Sequence, residues 1–107
     1  MEKRAFRRTP VRIEAELVSD YLNFAAFIGN ISASGIYIIT IHTEDRMDFA
    51  EETPLELKFQ IPSGAMLRIQ CIKRWSSTIT ANSLLGRMGM EIIDPPAEYS
   101  EYLKTLQ

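Results

Sequence analysis

The sequence predicts an all-β domain, an antiparallel barrel of five or six short strands followed by one C-terminal helix. Three observations carry this prediction. Apolar and polar side chains alternate with a period of two along several segments between residues 11 and 93. Turn-forming residues punctuate those segments, as in Pro62-Ser-Gly-Ala65. Only after Asp94 does the apolar spacing become helical. Strands first and one helix last suit a barrel with a helical lid.

The elements follow in order. Val11, Ile13, Ala15 and Leu17 face one way and Arg12, Glu14 and Glu16 the other, so Val11–Ser19 is a half-buried strand. Asp20 to Asn23 offers turn chemistry, and Phe24–Ile31 is a mostly apolar second strand. Its polar exit, Asn30 to Gly35, leads into Ile36–Thr40, rich in β-branched and aromatic residues. A hairpin through Gly35 is expected, because glycine accepts backbone angles closed to other residues. His42 to Thr53 is polar and acidic and is expected to be a loop.

Pro54 opens a fourth strand, with Leu55, Leu57 and Phe59 on one face. The fifth, Met66 to Trp75, sets Leu67, Ile69 and Cys71 against Arg68, Gln70 and Ile72. Ser76 to Ser83 is expected to be a polar connection. Leu84–Ile93 is the last strand, in which Gly86 and Gly89 predict a bend or bulge. The helix is expected to start with Asp94 as N-cap, Pro95 in the first position and Glu98 in the first turn. Tyr99, Tyr102, Leu103 and Leu106 form its apolar stripe.

At 107 residues the chain is one domain, divided into a flexible basic arm (1–10), a barrel (11–93) and a helix (94–107). No apolar stretch approaches the roughly 20 residues that span a bilayer, and the basic N-terminus lacks the apolar segment of a signal peptide. The single cysteine, Cys71, has no partner within the chain and is expected to be a small buried hydrophobe. A cytoplasmic location is the default expectation. Charge is uneven: residues 1–12 carry five basic side chains against Glu2, whereas residues 13–107 carry seven basic against thirteen acidic. Nucleic acid needs a broad basic surface, so DNA or RNA is not the expected partner. A cationic arm on an acidic body suits a compact anion.

Two short motifs supply the chemistry. Arg4 and Arg8 lie four residues apart in the arm. A guanidinium grips phosphate through paired, charge-assisted hydrogen bonds and presents a flat face to a purine ring. Asn30 brings an amide that donates and accepts, Ser32 a hydroxyl, and Gly35 room for close backbone approach. Asn, Ser and Gly are also ordinary hairpin residues, so the functional reading rests on the two motifs together. Catalytic and metal-binding machinery is not evident. His42 is the sole histidine, Glu44-Asp45 and Glu51-Glu52 read as solvated loop charges, and Trp75 as a core or rim residue. No cofactor or metal is expected.

With these residues in view, the chain resembles the PilZ domain, the bacterial receptor module for cyclic di-GMP, over essentially its whole length. The resemblance rests on RxxxR (Arg4, Arg8) and on [D/N]xSxxG (Asn30, Ser32, Gly35). The Trp75-ended strand, the Gly89-Met-Glu-Ile-Ile strand and the terminal helix add support. It implies a six-stranded antiparallel split barrel in which Arg4 and Arg8 hold the phosphates and stack on guanine. Asn30, Ser32 and Gly35 then contact a guanine edge or its surroundings. Lys3 occupies a position that in the family influences whether one ligand or a stacked pair binds. Arg7 is an additional candidate contact, as is Ser34, which stands where many members have a second glycine. The implied function is a cyclic di-GMP receptor that rearranges its arm and signals to an effector protein not identified by the sequence. The alternative is an interaction module of the same fold that binds no nucleotide. A small nucleic-acid-binding barrel is disfavoured by the acidic body. Homodimerisation stays open.

Overall fold

A computed structural model of the protein describes residues 8–19, 23–41, 54–78 and 85–106. Six strands and one helix follow in order: β1 (Thr9–Val18), β2 (Asn23–Ile31), β3 (Gly35–Ile41), β4 (Pro54–Gln60), β5 (Met66–Thr78), β6 (Leu85–Ile92) and α1 (Ala97–Thr105). The strands close into a barrel in the order β1-β2-β3-β6-β5-β4, every neighbouring pair antiparallel. This is the six-stranded barrel with a C-terminal helix that the alternation predicts. The expected arm segment carrying Lys3, Arg4 and Arg7, the turn residues 20–22, the loop 42–53 and residues 79–84 lie outside the described residues.

The period-two pattern works as a barrel requires. Leu17, Ile28, Ile36, Ile38, Leu57 and Ile69 point inward and are almost wholly buried. Each such side chain contributes about 1.5–3 kcal/mol of burial. Two strands run further than their polarity suggests. β1 begins at Thr9 rather than Val11, since Thr9 and Pro10 pair with Ile31 and Asn30. A proline is tolerated near a strand's start, so β1 takes in Thr9 and Pro10. β5 continues through Ser76 to Thr78 because the backbone of Met88 to Gly86 pairs with it. The turn after β4 matches its sequence signal: Gly64 holds a left-handed φ of 99° and donates to the Ile61 carbonyl.

The helix start differs from expectation. Asp94 is not the N-cap; it takes a left-handed φ of 49°, a conformation aspartate tolerates better than most. A residue preceding proline is pushed toward extended backbone, so Pro95, followed by Pro96, cannot begin the helix. Pro96 is the cap, with ψ 157° and no side-chain cap bond, and Glu98 does lie in the first turn. Tyr99, Tyr102 and Leu103 bury the helix's apolar face, and Leu106 packs against the core from its edge.

Cys71 is a buried thiol, as expected. Burial pushes its pKa from 9.0 up to about 12, and burial also raises that of the Tyr99 phenol. In both cases the folded state keeps the proton longer than the unfolded chain. Their stabilising contribution is therefore complete below pH 9 and is lost as pH climbs toward 12. Thermal melts across this range should show a falling midpoint, and Cys71→Val should flatten the decline relative to its own value at neutral pH. A midpoint that does not change with pH would mean that neither group is shielded as described.

Candidate ligand-binding surface

The Asn30–Gly35 turn is built around a buried hydroxyl. Ser32 is 2% exposed; its Oγ accepts hydrogen bonds from the backbone N–H of Gly35 at 3.1 Å and of Ser34 at 3.3 Å, and donates to the Gly35 carbonyl at 3.3 Å. The Ser32 N–H donates to the same carbonyl at 2.9 Å. Two other elements lock onto the turn. Ile92 N–H of β6 donates to the Ser34 carbonyl, and the buried Tyr99 hydroxyl of α1 donates to the Ser32 carbonyl at 2.6 Å. Ser32 therefore braces the turn from within, and its hydroxyl faces the protein rather than the surface.

Gly35 serves space rather than backbone freedom. The only left-handed glycine among the described residues is Gly64. A Cβ at Gly35 would lie 3.1 Å from the Met90 carbonyl oxygen and 3.6 Å from the Arg8 guanidinium. The Arg8 side chain thus lies across the glycine, and its Nη1 donates to Asn30 Oδ1 at 2.7 Å. The arginine motif and the turn motif meet through this bond, although they are 22 residues apart. The bond uses one of five guanidinium N–H donors and one Asn30 acceptor site. Arg8, Asn30, Ser32, Ser34 and Gly35 are brought together; Lys3, Arg4 and Arg7 lie outside the described residues.

Bulges aim the surface. On β2, Phe24, Ala26 and Ile28 alternate inward, and strict alternation would bury Asn30 too. Gly29 is an extra residue opposite β3, where Ile28 pairs with Ile38 and Asn30 with Tyr37. The phase flips, Asn30 turns outward and Ile31 inward. On β5, Leu67, Ile69, Cys71 and Lys73 point in, and Trp75 would follow. There Arg74 is the extra residue, with Lys73 opposite Met90 and Trp75 opposite Gly89. Trp75 is consequently 46% exposed. The glycine signal in the last strand does mark a bulge, but it lies on the neighbouring strand.

The result is a transverse row on the outer wall: Pro10, Asn30, Tyr37, Gly89 and Trp75 are successive cross-strand partners. From Asn30 to Trp75 it crosses three inter-strand spacings, about 14 Å. Glycines seat the aromatic rings. A Cβ at Gly29 would approach the Tyr37 ring to 2.8 Å, and one at Gly89 would overlap the Trp75 indole. The Tyr37 and Trp75 rings form a tilted pair, 6.1 Å between centroids. One end of the row is cationic and amide-bearing, the other aromatic. Sequence reasoning missed Tyr37 and assigned Trp75 to the core or rim; the signal was the Gly89 opposite, legible only once strands are paired. Among the described residues no cluster of three or more His, Cys, Asp or Glu could hold a metal, and no helix is long and apolar enough to cross a membrane.

Comparison with known proteins agrees with this architecture. The sequence profile of the PilZ domain matches residues 2–106. Bacillus subtilis inhibitor of motility (MotI/DgrA) superposes with a TM-score of 0.77 at 18% identity over 99% of this chain. This chain spans half the length of that protein. The PilZ domain of Escherichia coli YcgR, solved with c-di-GMP, superposes with a TM-score of 0.72 at 9% identity, covering 98% of this chain and 89% of that one. No curated protein sequence matches. At these identities the superpositions speak to fold.

Two variants test the construction. Tyr99→Phe leaves the Ser32 carbonyl without its buried donor and should cost about 1–3 kcal/mol in chemical denaturation. Gly89→Val should lift the indole off the wall. Trp75 is the sole tryptophan, so its emission maximum should shift to longer wavelength; an unchanged spectrum would contradict the seating described.

Proposed function

Because the chain belongs to the PilZ domain family, we propose that it is a cyclic di-GMP receptor that passes the signal to a partner protein. The observation that carries this reading is the Arg8–Asn30 contact at one end of a row that runs through Tyr37 to the exposed Trp75. Cyclic di-GMP combines phosphates with guanine rings, and the row offers a partner for each. The Arg8 guanidinium meets a phosphate and the edge of Asn30 meets a guanine edge. Tyr37 and Trp75 supply aromatic rings against which a second base packs. Arg4 joins Arg8 as the second phosphate ligand, with Lys3, Arg7 and Ser34 at the margin of the site. Ser32 and Gly35 act by shaping and clearing the turn. No chemistry of bond making is needed, which suits a receptor or adaptor rather than a catalyst.

Signalling follows from the wiring of the turn. The carbonyls of Ser32 and Ser34 are tied to α1 and β6 respectively, so a ligand that shifts Asn30 pulls on both. Together with ordering of the arm, this changes the surface that a partner protein meets.

Isothermal titration calorimetry with cyclic di-GMP should give saturable heat at micromolar protein. Arg8→Ala should weaken binding by about ten- to hundredfold, the loss of one or more charge-assisted bonds worth roughly 1.5–3 kcal/mol each. Ligand should also quench Trp75 fluorescence. Absence of heat with a folded protein would instead favour the nucleotide-free interaction module.

A further inference from the structure

The barrel is closed, but one seam is only half sewn. β4 pairs with β1 over Ala15 to Val18 alone, while β1 continues back to Thr9 on its β2 side. After Gln60 the chain leaves the sheet through the turn at Ile61–Ala65. Among the described residues, the stretch from Thr9 to Glu14 therefore has no strand on its other side, and a backbone edge of this kind is a template for pairing. Its six residues span roughly 20 Å, the length of an ordinary strand.

The seam opens as a groove of about 950 Å³, with Val11 and Ile13 on one wall, Phe59 and Ile61 on the other and Tyr102 of α1 also lining it. It shares Ile61, Pro62 and Tyr102 with a second groove of about 370 Å³ that runs between the β4–β5 turn and α1. Neither groove includes a residue of the Arg8–Trp75 row. Charges on the walls are unbalanced. Lys58 is held by Glu16 at 3.4 Å, which leaves Arg12 against Glu14, Glu98 and Glu101.

We propose that this seam docks an extended segment of a partner protein in which apolar residues alternate with basic ones. Such a segment hydrogen-bonds to the free edge of β1 as an added strand. Its inward side chains cover Val11, Ile13 and Tyr102, and its basic side chains meet Glu14, Glu98 and Glu101. A second copy of this chain is the poorer occupant, because it brings another acidic rim. The proposal does not rest on nucleotide binding and is tested without nucleotide.

The probe is a phage-displayed library of random dodecapeptides panned on the full chain, with the winners synthesised and titrated by fluorescence anisotropy. Recovered peptides should alternate apolar residues with Lys or Arg. Binding should fall at least tenfold in the double variant Glu98→Lys, Glu101→Lys, whose positions are exposed, and again in Arg12→Pro, which breaks the edge. If Arg12→Pro fails to fold, the wild-type chain still decides: bound peptide should slow hydrogen exchange of β1 amides within residues 11–14 at least tenfold. Recovery of no common pattern, affinity indifferent to the charge reversal, or protection elsewhere would overturn the proposal. So would concentration-dependent self-association that protects residues 11–14 in the absence of peptide.

Discussion

The buried Ser32 hydroxyl is the point on which the upper end of the barrel depends. A turn between two strands of a closed barrel must satisfy its own backbone groups, and here one side chain serves two N–H groups and bonds one carbonyl. Those bonds leave the Ser32 and Ser34 carbonyls directed outward from the turn, where Tyr99 and Ile92 take them up. The helix is thereby fastened to the motif rather than merely packed on the barrel's apolar end. The same hydroxyl holds Gly35 in place beneath Arg8, while Asn30 is held by pairing with Pro10 and Tyr37. A residue that reads as a ligand contact in a motif is, in its physical role, the frame of the site.

A second constraint is the alternation of strands. A barrel wall allows one inward and one outward residue in turn, and a binding row needs outward residues that are neighbours across several strands. Bulges at Gly29 and Arg74 flip the phase of β2 and β5 at the required level. Each exchanges one local irregularity for an outward-turned side chain, Asn30 or Trp75. Arg74 is then bonded to Glu91 across the strand, so the extra residue is held at the surface. The glycines at 29 and 89 complete the arrangement by leaving room for rings to lie flat.

The two proposed surfaces differ in chemistry. The row from Arg8 to Trp75 offers cation, amide and aromatic groups across the wall formed by β2, β3, β6 and β5. The seam beside β1 offers backbone without a strand partner among the described residues, an apolar floor and an acidic rim. Both meet at β1, whose first residues follow Arg8 directly, so nucleotide recognition and strand addition would act on one short element from opposite sides.

Much of this was legible in one dimension. Strand faces such as Leu55, Leu57 and Phe59, the turn at Gly64 and the stripe of Tyr99, Tyr102 and Leu103 follow from spacing, because burial depends on which face a residue occupies. The motif pairs Arg8 with Asn30 and Gly35 by residue type, because phosphate and base edges demand those groups. What spacing does not carry is relative phase. Whether Trp75 points in or out depends on a bulge opposite Gly89, and Asn30 on one opposite β3. The start of α1 likewise depends on the two prolines in succession rather than on the capping preference of Asp94. By itself, then, the sequence determined the barrel, its core faces and the residue types of the proposed nucleotide site. Only the tertiary structure decided which of those residues share a surface, what Ser32 does there and where the sheet stays open, because these depend on cross-strand register, a property of pairs of segments far apart in the chain.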